Sequence, residues 1–196
     1  MEPLGPLPPG FAQTRTVLHR LAEDVMSPQQ AAVNGDIHFD ATPGGFGTPV
    51  FGDGRQLRVD GTELVEIDGG SEVRRERVEG ADADAARWLA DLFAMADAAL
   101  RELITDAPDA EPIRLWPEHF DIATVIDRAT YGVSPGDEHH DEPYLYVGPW
   151  DPVSGPDWNA VGFTGAELAA PGLDVAAALA FFLRHRALLV PQNVQA

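Results

Sequence analysis

Two short stretches hold the residues whose types and spacing could do chemistry. The segment "DEHHDEP", residues 137–143, sets His139 and His140 between pairs of carboxylates. Upstream, "WPEHFD" places His119 two residues before Asp121. Two residues apart on a strand share a face, so His119 and Asp121 would point together. If the two stretches meet, two histidines and one or two carboxylates converge. Such a nitrogen and oxygen set suits Zn²⁺, Mn²⁺ or Fe²⁺, or an acid–base pair in which a carboxylate orients an imidazole.

The expected metal set is His119, His139 and Asp121, with His140 and Glu142 as further pocket candidates. His119 lies in an apolar segment and is expected to be partly buried. Adjacent residues of an extended loop point oppositely, and His139 rather than His140 is the expected inward partner. The opposing reading is a solvated loop: Pro135, Gly136 and Pro143 bound the cluster, and 32 acids in 196 residues put carboxylates beside histidines by chance. Trp150 and Trp158, in a loop-rich stretch, are candidates for lining a pocket for flat ligands. Trp116 reads as a core anchor.

The elements that must position these residues follow from periodicity. Residues 1–13 read as an extended Pro-rich arm, 14–190 as one domain and 191–196 as a tail. Thr14 starts a helix with Val17, Leu18, Leu21 and Val25 on one face, and Pro28 ends it. "GDIHFDAT" alternates as a half-buried strand with His38 on its polar side. "TPGGFGTPVFGDG" (42–54) is a Gly-rich turn segment on which Phe46 and Phe51 could form a ligand lid. Residues 55–78 form three short strands with turns at Asp60-Gly61 and Asp68-Gly69-Gly70.

The spacing of Leu89, Leu92, Phe93, Ala96, Leu100 and Leu103 predicts a helix over 81–104, capped by Asp82 or Asp84. Residues 113–127 read as one strand and 143–150 as another. A last helix is capped by Asp174, with Arg184, His185 and Arg186 suiting its C-terminal dipole. Together these predict a single α+β domain: a twisted antiparallel sheet, the 81–104 helix on one face and helices near both ends.

Composition excludes several functions. The net charge is −19, and all 13 bases are arginine. No basic stripe exists to neutralise phosphates, so neither nucleic acid nor an anionic membrane is an expected partner. The chain has no cysteine, which removes disulfides, thiolate nucleophiles and Cys-ligated metals. There is no G-x-S-x-G, no P-loop and no lysine for a Schiff base. The N-terminus lacks a basic n-region, and the longest apolar run, 175–183, is too short to span a bilayer; a cytoplasmic monomer or homodimer is expected.

"IRLWPEHFDIA", "YGVSPGDEHHDEPYLYVGPW", "PGGFGTP" and "WNAVGF", spread over most of the chain, together resemble a group of uncharacterised proteins common in actinobacteria. That resemblance implies a bacterial cytosolic protein and brings no catalytic residues. Gly136, His139, His140, Glu142 and Gly148 also follow the order of the cupin metal motif. They depart from it because the histidines are adjacent and no second histidine motif follows. The expected function is a small-ligand or protein-binding domain. The alternative is a metal-dependent hydrolase or oxygenase built on His119 and residues 137–142.

Overall fold

A computed structural model describes residues 2–137 and 139–189. Its centre is the helix expected over 81–104. Asp82 sits outside it in extended conformation, and its side chain accepts the Asp84 and Ala85 N–H groups, 3.0 Å each. These are two of the donors that a helix N-terminus leaves unpaired. The helix, α3, runs Ala83–Ile104 and buries Leu89, Leu92, Phe93, Leu100 and Leu103, with Asp97 and Arg101 paired one turn apart on its outer side (2.7 Å).

Two five-stranded antiparallel meanders pack against α3, where a single sheet was expected. The first comprises β1 (Asp40–Thr42), β2 (Gly45–Gly47), β3 (Arg55–Asp60), β4 (Glu63–Asp68) and β5 (Ser71–Arg77), in that order. The second comprises β6 (Arg114–Trp116), β7 (Asp121–Ile126), β8 (Ala129–Ser134), β9 (Tyr144–Pro149) and β10 (Ala166–Ala169). Phe39 and Leu115 join them by exchanging two backbone hydrogen bonds of 2.8 Å. The result is an α+β domain. Among the described residues no helix is long and apolar enough to cross a membrane.

Several elements differ from expectation. The first helix does not end at Pro28. It runs from α1 (Phe11–Arg20) through a π-helical segment (Leu21–Met26) into α2 (Ser27–Asn34). Proline lacks an N–H and crowds the carbonyl four residues back; the wider turn preceding it carries the chain past that obstacle. The Gly-rich segment is partly strand. Gly45 and Gly47 press against β3 so closely that an added Cβ would stand 2.5 Å from the Val59 carbonyl oxygen and 2.8 Å from that of Leu57.

Phe46 and Phe51 are buried in the core and form no lid. Phe46 meets Phe93 and Phe120 edge-on, at 6.1 and 5.2 Å between centroids, and stacks on Phe39 at 6.0 Å. Residues 113–127 are a hairpin, β6 and β7, turned at Pro117–Phe120. Strands β8 and β10 had no counterpart in the sequence reading. Trp116 is half-buried rather than a core anchor.

The N-terminal arm lies on the body. Leu4 is buried and exchanges backbone bonds with residues 172 and 173, and the Trp88 indole donates to the Gly5 carbonyl at 2.9 Å. Helix α4 (Val175–Leu189) closes the C-terminal side, packed against α3. Asp174 accepts the Ala177 N–H at 2.8 Å, as a cap should. His185 is buried there, its ring nitrogens bonded to the Phe181 and Asp157 carbonyls (2.8 and 3.2 Å). The 191–196 tail lies outside the described residues.

Candidate functional site

The second sheet has two unlike faces. Ile122, Ile126, Tyr131, Val133, Leu145 and Val147 point into the core. The other face carries, by alternation, Asp121 and Ala123 on β7, Gly132 and Ser134 on β8, Tyr144 and Tyr146 on β9, and Glu167 on β10. Gly132 pairs with Ala123 on one side and with Tyr146 on the other. An added Cβ there would stand 2.5 Å from the phenol carbon and oxygen of Tyr146. The missing side chain lets the Tyr146 ring lie across β8 and reach β7, where its hydroxyl donates to Asp121 Oδ2.

Asp121 is 7% exposed, and its other oxygen, Oδ1, is buried with no hydrogen-bond partner among the described residues. Leaving a buried acceptor unpaired costs about 1–3 kcal/mol; among the described residues Gln30 Nε2 and Oε1, Thr42 Oγ1 and Arg58 Nε share this state, and Asp121 Oδ1 is the carboxyl oxygen among them. Burial pushes the Asp121 carboxyl above its ordinary value; the Tyr146 hydrogen bond, nearby His119 and the residue's own backbone N–H draw it back only in part, and Glu118 adds to the rise. Burial and the same carboxyl push the Tyr146 phenol up as well.

Asp121 and Tyr146 line a cleft of about 740 Å³ between α1 and the second sheet. Arg15, His19, Arg20 and Glu23 line it from the helix, and Glu118 and His119 from the β6–β7 turn. Asp137, Tyr144 and Phe163 line it from the sheet and its loops. The same two residues line a smaller pocket of about 300 Å³, which shares Glu118 and His119 with the cleft. The pair therefore forms part of the wall between the two spaces.

The turn before Asp121 is fixed from several sides. Phe120 has φ of 55°, a left-handed backbone uncommon for an aromatic residue. Its buried ring, packed on Phe46 and Phe93, holds it there. His19 stacks on that ring at 4.9 Å, nearly parallel, and its Nε2 lies 2.8 Å from the Pro117 carbonyl oxygen. The loop after β8 is fixed from α1: Arg15 Nη1 donates to the carbonyls of Pro135, His140 and Asp141 at 3.3–3.5 Å.

Asp137 thus organises the described residues of "DEHHDEP". Its Oδ1 accepts the N–H groups of His139 and His140 (2.7 and 2.9 Å), and its Oδ2 accepts the Tyr144 hydroxyl (2.7 Å). Burial works to raise the Asp137 carboxyl, but these bonds together hold it below its ordinary value.

The inward histidine is His140, which corrects the expectation for His139. Its ring packs on Tyr144 at 4.4 Å, with Nε2 3.1 Å from Glu167 Oε2 and Nδ1 3.4 Å from Asp137 Oδ1. His139 and Glu142 are exposed. Arg15 holds the carbonyls on both sides of the loop, and with Asp137 drawing in two successive N–H groups the chain is a turn rather than an extended segment; strand-like alternation does not apply.

His119 is exposed, against the expected partial burial. The hairpin turn puts it outside the sheet, so it shares no strand face with Asp121, although both line the cleft. The expected set of His119, His139 and Asp121 does not assemble: among the described residues no group of three or more His, Asp or Glu side chains could hold a metal ion.

Trp150 and Trp158 do not line the cleft. Trp150 is 55% exposed beneath the Arg128 guanidinium, and Trp158 packs on His185 at 5.4 Å. Residues the sequence reading missed are Tyr144, Tyr146 and the α1 side chains. The signal for the tyrosines was present in "YLYVG", where two phenols alternate with core Leu145 and Val147. A glycine inside the unrecognised strand "ATYGVS" marked the place where a side chain crosses.

Compared with protein-family models, with curated proteins and with solved structures, the chain matches none.

Proposed function

We propose that this is a small-ligand-binding protein whose site is the cleft between α1 and the outer face of the second sheet. One observation carries the reading: the buried Asp121 carboxyl at the cleft wall, with one oxygen held by Tyr146 and the other lacking a partner among the described residues. A concave site with a few convergent polar groups and a perturbed carboxyl is the usual form of a ligand pocket. The cost of the unpaired oxygen is recovered when a bound molecule donates to it. The tyrosines and Phe163 supply apolar walls, and Arg15 and Asp137 fix the loop at the rim before any ligand arrives, which limits the ordering cost of binding. The cytosolic placement rests on the resemblance to the actinobacterial group.

The alternative of a metal-dependent enzyme would need a ligand set that the described residues do not assemble. The test is a fragment screen on the full chain by ¹H–¹⁵N NMR. Binding should move the backbone resonances of Asp121, Ser134, Asp137, Tyr144 and Tyr146 together. Shifts confined to other surfaces, such as the groove between the β1–β2 turn and α3, would overturn the reading.

A further inference from the structure

We propose that the cleft takes a small organic cation, an ammonium, amidinium or guanidinium group on a compact carbon frame, whose N–H donates to Asp121 Oδ1. This rests on the reading of the cleft as a ligand site.

Geometry comes first. Asp121 Oδ2 already accepts from Tyr146, and Oδ1 is a buried acceptor with no donor among the described residues. A carboxylate oxygen in that state is matched by a donor, and most strongly by a charged one, because charge-assisted bonds are shorter and stronger than neutral ones. Aromatic rings line the cleft beside it: Tyr146 lies across Gly132, and its ring centre is 6.1 Å from those of Tyr144 and Phe163, which line the same cleft. Aromatic walls around a carboxylate favour an organic cation over a strongly hydrated metal ion.

The charges facing Asp121 sort the same way. From the β6–β7 turn come Glu118 and His119; from β9, Tyr144 and Tyr146; from the loop after β8, Asp137; and from α1, Arg15, His19, Arg20 and Glu23. Arg15 is occupied with three loop carbonyls. Asp137 is occupied with Tyr144 and two backbone N–H groups. His19 is bonded to the Pro117 carbonyl, with Glu23 3.9 Å away. Glu118 has no hydrogen bond or ion pair among the described residues; it is exposed and reinforces the negative potential at Asp121. Arg20 is exposed at the outer rim. A net charge of −19 draws cations towards the cleft from a distance.

Burial makes the free carboxyl hold its proton beyond the pH at which a surface aspartate loses it. Cation binding therefore expels that proton, and affinity rises with pH until the free carboxyl ionises, by up to tenfold per pH unit. The experiment is calorimetry and NMR titration of the full chain with butylammonium and butylguanidinium, against butanol and butyrate as neutral and anionic controls. Calorimetry in two buffers of different ionisation enthalpy counts the protons released.

The expected result is cleft shifts with the two cations, net proton release, and loss of that release in Asp121→Asn. Glu118→Gln, at an exposed position, should weaken cation binding about two- to fivefold without affecting the fold. Cleft shifts with butanol or butyrate but not with the cations would overturn the cation class and leave the ligand site standing. No cleft shift with any of the four probes would overturn both.

Discussion

Tyr146 reaches Asp121 only because residue 132 has no side chain. The phenol lies where a Cβ on Gly132 would stand, 2.5 Å from its terminal carbon and oxygen. Gly132→Ala must therefore displace either the ring or the strand. The expected cost is about 1–3 kcal/mol, typical of overpacking. It should appear in urea unfolding as a lower midpoint at unchanged slope, together with loss of the Tyr146 hydroxyl contact in the spectrum of the ring.

Asp121 sets a pH dependence of stability with a definite sign. Its folded carboxyl binds a proton more tightly than the unfolded one, whose ordinary value is 3.8. Below that value both states are protonated and the contribution is fully present. As pH climbs above it the folded state alone retains the proton, and stability is lost until the folded carboxyl ionises. Asp121→Asn removes this slope. From pH 4 upward, the wild type should lose stability relative to the variant by up to about 1.4 kcal/mol per pH unit. Parallel curves in denaturant titrations across pH 4–7 would contradict the burial argument.

Asp137 has the opposite sign. Its hydrogen bonds hold the carboxyl below 3.8, so its contribution is present at neutral pH and is lost as pH falls through the folded value. Asp137→Ala should cost about 1.5–3 kcal/mol at pH 7, the range for bonds to a charged group. The difference from wild type should shrink towards pH 3, read from thermal unfolding at the two pH values.

Phe46 tests the core. It is fully buried where α3, β2 and the β6–β7 turn meet, in contact with Phe39, Phe93 and Phe120. Phe46→Ala should cost about 3–5 kcal/mol. Because Phe120 leans on Phe46 and immediately precedes Asp121, resonances of the cleft should move as well. A variant with wild-type cleft resonances would show that the turn is held by His19 and Phe93 alone.

Much of the fold was legible where one physical signal dominated. The 3.6-residue stripe from Leu89 to Leu103 and the Asp82 cap define α3 almost to the residue, and the Asp-Gly turns define β3 to β5. The misreadings share a cause. "WPEHFD" looked like one strand because its flanks are apolar, and only the packing of Phe120 against α3 reveals a turn with a left-handed aromatic residue. Strand β8 was missed because "ATYGVS" is short and carries a glycine that weakens its own strand signal; that glycine makes room for the Tyr146 ring, which lies over β8 and meets the Asp121 side chain of β7.

The candidate site was half visible. The sequence pointed to Asp121 and to the 137–142 loop, but histidines drew attention that tyrosines warranted. Tyr144 and Tyr146 look like ordinary strand aromatics until the partner of each hydroxyl is known. The choice between His139 and His140 depended on Arg15, more than a hundred residues away, which no local pattern encodes.

The pairing of Phe39 with Leu115 also bears on how the chain assembles. Every strand in either meander pairs with its neighbour in sequence, so each sheet closes local loops as it forms, the longest of them the 150–165 connection before β10. The two halves meet through that bridge, through Phe46 packed on Phe120 and through the shared helix α3. Each meander is therefore a natural unit of cooperative opening, and the cleft, although lined from the second meander and α1, has its β6–β7 turn seated only once Phe46 of the first sheet packs on Phe120.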